Sequence, residues 1–473
     1  MSKGRDVTMQ ATERIETYLK IQKVPYRLLE HPPTDTLEQA AAAAGIELRQ
    51  MARAMMLEDE AGLLMAILPA DYLLDFSELN RLLGRRLQPA SRARLDSVFP
   101  DCEPRSIPPL AEPYGLMAVV DEQISLMQNV CFEPGSHAHL LCMDGSLFDW
   151  LHQDARRGVF SHPAQALTRP NTYTFTMPDG AGLKKLHPVE NMEQRVRALQ
   201  SLPPLPEVTR RLLLLRDNPA PTLAELTEVI TLDPGLPPLL EHYARAGHYG
   251  YHGKVENLRD AVGVLGIDAT LHMALGLSAV RHLRSPVDGP LGLHGYWRHA
   301  VHTATLAEAL NALLPPASRS RAGLAYLAGL LHDFGFLALG HLFKAEFFLL
   351  NKVVAANPDV PVTLIEKRVL GSEHTQLGSW ALAHWQFPPA VVAAAREHHN
   401  EFYRAENAGL ANLILLTEHL LKASQFSDAA AGEPPPAIYT ALGLDPARAH
   451  ELAVRVLEHG AYALDDMART LAG

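Results

Sequence analysis

A histidine followed directly by an aspartate, His332-Asp333, lies inside the apolar run Leu330-Leu331-His332-Asp333-Phe334-Gly335-Phe336. Imidazole nitrogen and carboxylate oxygen are both ligands of first-row divalent metals. On its own the pair reads as a satisfied core histidine and a helix-terminal aspartate. It has company: His299 upstream, then His374, His398 and His399, and Glu418 in a further apolar run. Histidines and carboxylates spread over successive helices can converge on one metal or phosphate pocket inside a bundle. Cys/His spacing of the zinc-finger kind is absent, which excludes a small structural zinc module. His248, His252, His302, His341, His384 and His419 read instead as surface or capping histidines.

The elements that must hold these residues are helices. From Val189 to Leu471 the apolar positions recur with helical spacing, and no stretch reads as a strand. Before residue 165 the pattern is mixed. Thr12–Lys23 and Thr36–Ala44 read as helices. Ala54–Glu58 and Leu63–Pro69 are apolar runs around Asp59-Glu60-Ala61-Gly62, a hairpin signal. The expected fold is an α+β domain with a mixed sheet over 1–165 and a linker over 166–190. An all-α bundle over 191–425 and a helical extension over 426–473 follow.

The chain has 473 residues, too many for one core. No uninterrupted apolar window of about 18 residues occurs, so no membrane span is expected. Met1–Asp6 lacks the apolar core of a signal peptide. The three cysteines, Cys102, Cys131 and Cys142, are odd in number and lack a signal sequence, so reduced thiols and a cytoplasmic address are expected. A formal charge of −11 argues against broad nucleic-acid binding.

Two resemblances add to this reading. Leu68-Pro69-Ala70-Asp71, Phe99–Pro109, Tyr114-Gly115-Leu116 and Phe132-Glu133-Pro134-Gly135-Ser136-His137 resemble, in order, the YbaK/prolyl-tRNA-synthetase-associated domain. That resemblance implies an aminoacyl-tRNA deacylase fold. A strand lysine and a glycine loop there present charge and backbone amides to the ester carbonyl, in the manner of an oxyanion hole. It places Arg53 at the lysine position, Pro100 at the loop glycine and Pro104 at the retained proline, with Ser106, Gly135, Ser136 and His137 around the ligand. Arginine keeps the charge but cannot shed a proton, and proline removes an amide donor. The partner implied is aminoacyl-tRNA or an aminoacyl-like small molecule, bound more than cleaved.

Leu202-Pro203-Pro204-Leu205-Pro206, Asp233-Pro234, Gly247–Gly250, Ala261–Gly266, Trp297-Arg298-His299 and Leu330–Gly335 resemble the HDOD domain, a relative of the HD phosphohydrolases linked to bacterial signalling. The resemblance implies a divalent metal held by His299, His332, Asp333, His374, His398, His399 and Glu418, and signalling protein partners. Phe336 stands where active relatives carry a lysine, and Glu418 where the last ligand is aspartate. The expected function is therefore a two-module regulatory protein that senses a ligand. The alternatives are an active trans-editing deacylase or a metal-dependent phosphohydrolase.

Overall fold

The computed structural model describes residues 3–34, 36–90, 92–163, 173–176, 183–186, 205–245, 254–286, 289–357, 360–422 and 434–472. The readings over Val189–Leu199, Leu202–Pro204 and Gly247–Gly250, and that of His252, lie outside these residues. The chain divides into two compact units. The front unit comprises 1–188 and 352–369, and the helical unit comprises 189–351 and 370–473.

The front unit begins with α1 (Lys3–Ile21), β1 (Arg27–Glu30) and α2 (Leu37–Ala44). Thr36 caps α2 by accepting from Gln39 N, and Gly45 closes it at φ 68°. Next come β2 (Ala52–Asp59), β3 (Gly62–Pro69), β4 (Tyr72–Leu74), α3 (Phe76–Leu83), β5 (Gln88–Pro89) and α4 (Arg92–Val98). They are followed by β6 (Met117–Asp121), β7 (Asn129–Phe132), β8 (His139–Asp144), α5 (Gly145–Leu151), β9 (Arg156–Gly158) and β10 (Ser161–Pro163). A five-stranded sheet runs β5-β2-β3-β6-β9, with β3-β6 and β6-β9 parallel and the other pairs antiparallel. A three-stranded antiparallel sheet runs β1-β8-β7.

Side chains alternate across a strand, so β2 feeds two cores. Ala52, Ala54 and Met56 join Phe99, Phe132 and Phe148 on one face. Met55 and Leu57 join Leu68, Leu74 and Phe160 on the other. Part of the stretch read as a linker forms a hairpin, β11 (Tyr173–Thr176) with β12 (Leu183–Leu186).

Two cysteines depart from the expectation of reduced thiols. The register of β7 and β8 sets Cys131 opposite Cys142, and the two are joined by a disulfide. Cys102 is free, and burial pushes its thiol up to about 12, which suits a core residue and not a nucleophile.

The helical unit uses α6 (Glu207–Arg216), α7 (Leu223–Thr231), α8 (Leu236–Arg245), α9 (Leu258–Leu265) and α10 (Ile267–Val280). Then follow α11 (Leu293–Leu313), α12 (Leu324–Leu331), α13 (Phe334–Leu342), α14 (Lys344–Ala356) and α15 (Val362–Val369). The chain closes with α16 (His374–His384), α17 (Pro389–Glu397), α18 (Ala408–Lys422), α19 (Pro436–Leu442) and α20 (Pro446–Ala472). Among the described residues no strand lies beyond Leu186, as the periodicity predicts. The last five residues of α14 and all of α15 group with the front unit, a detour that no change in composition announces. Trp297 and Trp385 are buried, as expected of large aromatics. His302 and His419 are buried too, contrary to the surface reading; His302 Nδ1 donates to Arg298 O at 2.7 Å.

Candidate metal centre

Each candidate ligand sits at or beside a helix end, or on a helix facing the bundle interior. His299 lies on α11 and Glu418 on α18, while His332 and Asp333 occupy the break between α12 and α13. His374 opens α16 behind a capping box made by Glu373 and Gln376. His398 and His399 follow the last residue of α17.

Glycines let these helices approach backbone to backbone. A Cβ at Gly329 would meet Ala304 Cα at 2.6 Å, which sets α12 against α11. A Cβ at Gly335 would meet His374 O at 2.0 Å, and one at Gly378 would meet Gly335 N at 2.9 Å. The α13–α16 crossing is therefore fixed by main chain, and with it the distance from Asp333 to His374.

The predicted set converges on the Asp333 carboxylate. Oδ2 lies 3.3 Å from His299 Nε2 and 3.4 Å from His332 Nε2. Oδ1 lies 3.2 Å from His374 Nε2 and 3.5 Å from His398 Nε2. Glu418 adds Oε2 at 3.3 Å from His299 and Oε1 at 3.5 Å from His332, and Thr303 Oγ1 donates to Oε1 at 2.8 Å. Three groups have donor atoms mutually within 4.8 Å: His299 with His332 and Glu418; His332 with Asp333 and His398; His374 with His398 and His399. Asp333 thus stands between two sets of donors, one oxygen toward each.

The protonation pattern tests whether a cation fits here. His332 Nδ1 donates to Gly329 O at 2.7 Å, and His398 Nδ1 to Ala395 O at 3.1 Å. With the proton on Nδ1, each Nε2 presents a lone pair to the centre. Burial pulls the His332 imidazole down to about 4, against the opposing pull of Asp333 and Glu418, so it is neutral at pH 7. Burial and then the neighbouring imidazoles also hold His399 well below its ordinary value. Burial pushes the Asp333 carboxyl up, but His332, His299, His374 and His398 outweigh it and hold the group well below the carboxylate range. In the tautomer with the proton on Nδ1, these Nε2 lone pairs and the Asp333 carboxylate face one another, an arrangement that a shared proton or a metal cation must bridge. The donor set fits a divalent metal.

The centre is enclosed except beside His299 and His399, which are partly exposed. His332 and His374 are 0% exposed, His398 and Glu418 1%, and Asp333 4%. Phe336 stacks on the His374 ring at 4.2 Å between centroids.

The front-unit candidates separate. His137, Glu133, Arg105, Thr36, Leu37 and Ala54 line a small cavity of about 30 Å³, which holds little more than a water. His137 Nδ1 faces Glu133 Oε1 at 3.1 Å and Nε2 faces Pro104 O at 2.9 Å, so both ring nitrogens donate. Burial opposes the charge, but Glu133 and the Pro104 carbonyl lift His137 to about 9. Gly135 takes φ 100° against Ala11 and Cys102, and Ser136 Oγ lies 3.0 Å from His139 Nδ1. Ser106 is fully buried and its N–H donates to Glu103 O, away from the cavity lining. Arg53 borders the cavity through its strand but sends its guanidinium elsewhere: Nη2 donates to Tyr72 O and to Asn357 Oδ1, both at 2.7 Å. By alternation Ala54, not Arg53, turns its side chain to the face that carries the cavity. Glu133 and Arg105 are cavity residues that lie inside the Phe132–His137 and Phe99–Pro109 motifs but were given no role there; their place in those motifs was the available signal. A wider cleft of about 470 Å³, lined by residues such as Glu47, Arg49 and Tyr72, takes in Pro69 and Asp71 of the Leu68–Asp71 motif but none of the predicted site residues.

Comparison with known proteins places both halves. Residues 202–401 match the model of the HDOD domain, and residues 31–149 that of the aminoacyl-tRNA editing domain. A crystal structure of a candidate signal transduction protein from Marinobacter aquaeolei VT8 is similar over 99% of both chains, with 27% identity and a TM-score of 0.74. An HDOD domain protein of unknown function from Geobacter sulfurreducens covers 59% of this chain and 96% of its own, at 19% identity and a TM-score of 0.47. An uncharacterized protein of Treponema pallidum is 22% identical over 202 residues, 43% of this chain and 38% of its own length. Among the described residues no single helix is long and apolar enough to cross a membrane. The chain therefore carries an aminoacyl-tRNA editing domain followed by an HDOD domain.

Proposed function

We propose that this protein is a regulatory protein whose HDOD domain holds divalent metal in a closed centre. Its editing-type domain then binds an aminoacyl-like ligand without efficient cleavage. The observation that carries the first part is the convergence of the His332 and His398 Nε2 atoms on the Asp333 carboxylate while their Nδ1 atoms face main-chain carbonyls. His299, His332 and Glu418 would hold metal on one side of Asp333, and His374, His398 and His399 on the other. A bound divalent metal supplies charge neutralisation and, in hydrolases, an activated water. Hydrolysis also needs a coordination position open to substrate. Here five of the seven donors are buried, with His299 and His399 partly exposed, and Phe336 lies flat on His374, which supports a regulatory or structural metal over a phosphohydrolase.

The second part rests on the groups around the small cavity, which must widen to admit an aminoacyl moiety. It offers the His137 imidazolium and Arg105, both cationic, but its β2 wall carries Ala54 where a charged group is wanted. The cationic groups can orient a carboxylate or a polarised carbonyl. Neither is poised to accept a proton at pH 7, which supports binding over turnover.

The test is metal analysis of the purified chain by mass spectrometry, with deacylation of mischarged tRNA and hydrolysis of cyclic dinucleotides measured on the same preparation. Stoichiometric metal with negligible turnover in both assays is expected. Metal-dependent nucleotide hydrolysis lost in Asp333→Ala, or robust deacylation, would overturn the reading, as would a chain that takes up no metal.

A further inference from the structure

We propose that residues 352–369 form a built-in strap that links the state of the His/Asp centre to the conformation of the front sheet. The metal half of this proposal rests on the reading above. In sequence the strap lies between Asp333 and His374, two donors of the same centre. In space it groups with the front unit. Helix α14 enters it without interruption: Lys344–Asn351 count with the helical unit and Lys352–Ala356 with the front unit. The return is as short. Only Leu370, Gly371, Ser372 and Glu373 separate the end of α15 from His374. Gly371 takes φ 70° in this turn and the Glu373/Gln376 capping box closes it, so the return is a defined turn and not a slack tether.

At its far end the strap is anchored by one fully buried side chain. Asn357 Oδ1 accepts from Arg53 Nη2 at 2.7 Å and from Leu74 N at 3.3 Å. Its Nδ2 donates to Val353 O at 2.8 Å within α14. One amide therefore ties β2, β4 and the strap helix together. Arg53 is itself buried, on the strand face it shares with Met55 and Leu57, and one of its hydrogen-bond acceptors comes from the strap. Ile365 and Glu366 on α15 are buried as well, so the strap is part of the unit's interior.

These contacts make seating of the strap close to all-or-none. Withdrawing Asn357 removes an acceptor from a buried guanidinium and from a strand amide in one step. Coupling requires such an element, with two discrete arrangements that both sites bias. A change at the centre that shifts His374 is delivered within four residues to α15. A ligand that shifts β2 or β4 acts on Asn357. Arg53 is, on this reading, a positioning residue for the strap.

Hydrogen exchange on the full chain tests this, first without metal and then with Mn²⁺. In the metal-free Asn357→Ala variant, exchange should rise by about five-fold or more at Leu74, over 352–369, and in the first two turns of α16. Mn²⁺ binding should weaken by a comparable factor, because coupling is reciprocal. If exchange rises at Leu74 and in the strap while α16 behaves as in the wild type, the contact is local and the proposal is overturned. If Asn357→Ala does not fold, Arg53→Lys keeps the charge but loses the fork. It should give a smaller rise at the same places; a rise that spares α16 again refutes the strap. Failure of the wild type to bind Mn²⁺ would sink the metal reading alone, since the metal-free comparison decides the strap.

Discussion

Replacing Gly335 by alanine should damage both the fold and the centre, by an amount the geometry sets. The added Cβ would lie 2.0 Å from His374 O, 2.6 Å from its C and 2.8 Å from its Cα. All three are backbone atoms and cannot swing aside. Ordinary contact begins at 3.4 Å, so α13 and α16 must part by roughly 1.4 Å. The Asp333 Oδ1–His374 Nε2 separation of 3.2 Å would then open beyond hydrogen-bonding reach. Overpacking of this kind costs about 1–3 kcal/mol. Misplacing one ligand should also weaken metal binding by about 10–100-fold. The control is Gly263→Ala on α9, where a Cβ meets nothing within 4 Å. It should stabilise by about 0.4–1 kcal/mol. Urea unfolding followed by circular dichroism, with bound metal measured after dialysis, reads both effects. Equal unfolding midpoints for Gly335→Ala and the wild type, with unchanged metal content, would refute the claim that the α13–α16 crossing positions the donors.

Asp333→Asn should abolish metal binding on both sides of the carboxylate, since one oxygen faces each donor set; loss of only half the metal would show that Asp333 is not shared. Phe336→Lys should not create a phosphodiesterase. It places an ammonium at a buried position on the His374 ring and should destabilise by about 3–5 kcal/mol, whereas gain of metal-dependent hydrolysis would show the centre more open than its burial indicates. Two histidines should give opposite pH limbs in thermal melts. The pKa of His137 is raised to about 9 in the fold, so its contribution is full below about pH 6.5 and fades as pH rises through about 9, by at most about 3 kcal/mol. That of His332 is lowered to about 4, so in chelator-treated protein stability falls as pH drops from about 6.5 toward 4, by a similar amount. His137→Gln should flatten only the alkaline limb and His332→Gln only the acid one; parallel profiles would disprove the assignments.

The centre was largely legible because its signal is local. His332-Asp333 is a polar pair inside an apolar run, and it gains meaning from the further histidines on successive helices, although His374 and His398 lie in polar stretches. Glu418 stands out as a carboxylate in an apolar run, and the resemblance gave it the place of the last ligand. The direction of the Arg53 side chain is not legible in the sequence: a slip of one residue turns a side chain to the other face of a strand, and only pairing fixes the phase. The Cys131–Cys142 bond needed the β7–β8 register. The detour of 352–369 could not be read, because helical periodicity reports that a face is buried and not what it is buried against.

A front unit that contains residues 352–369 has a consequence for how the chain comes off the ribosome. Domains made first generally fold first. Here residues 1–188 emerge early, but their partner segment is completed only at residue 369. At synthesis rates of about 5–20 residues per second, the wait is on the order of 10–40 s. Through that interval the side of β2 that carries Arg53 and the open end of β4 have no Asn357 to meet them. The nascent chain thus holds a half-built sheet beside the tunnel exit while its helices are still being made. Factors that shield exposed strand surface during translation should matter more for this chain than its modest strand content suggests.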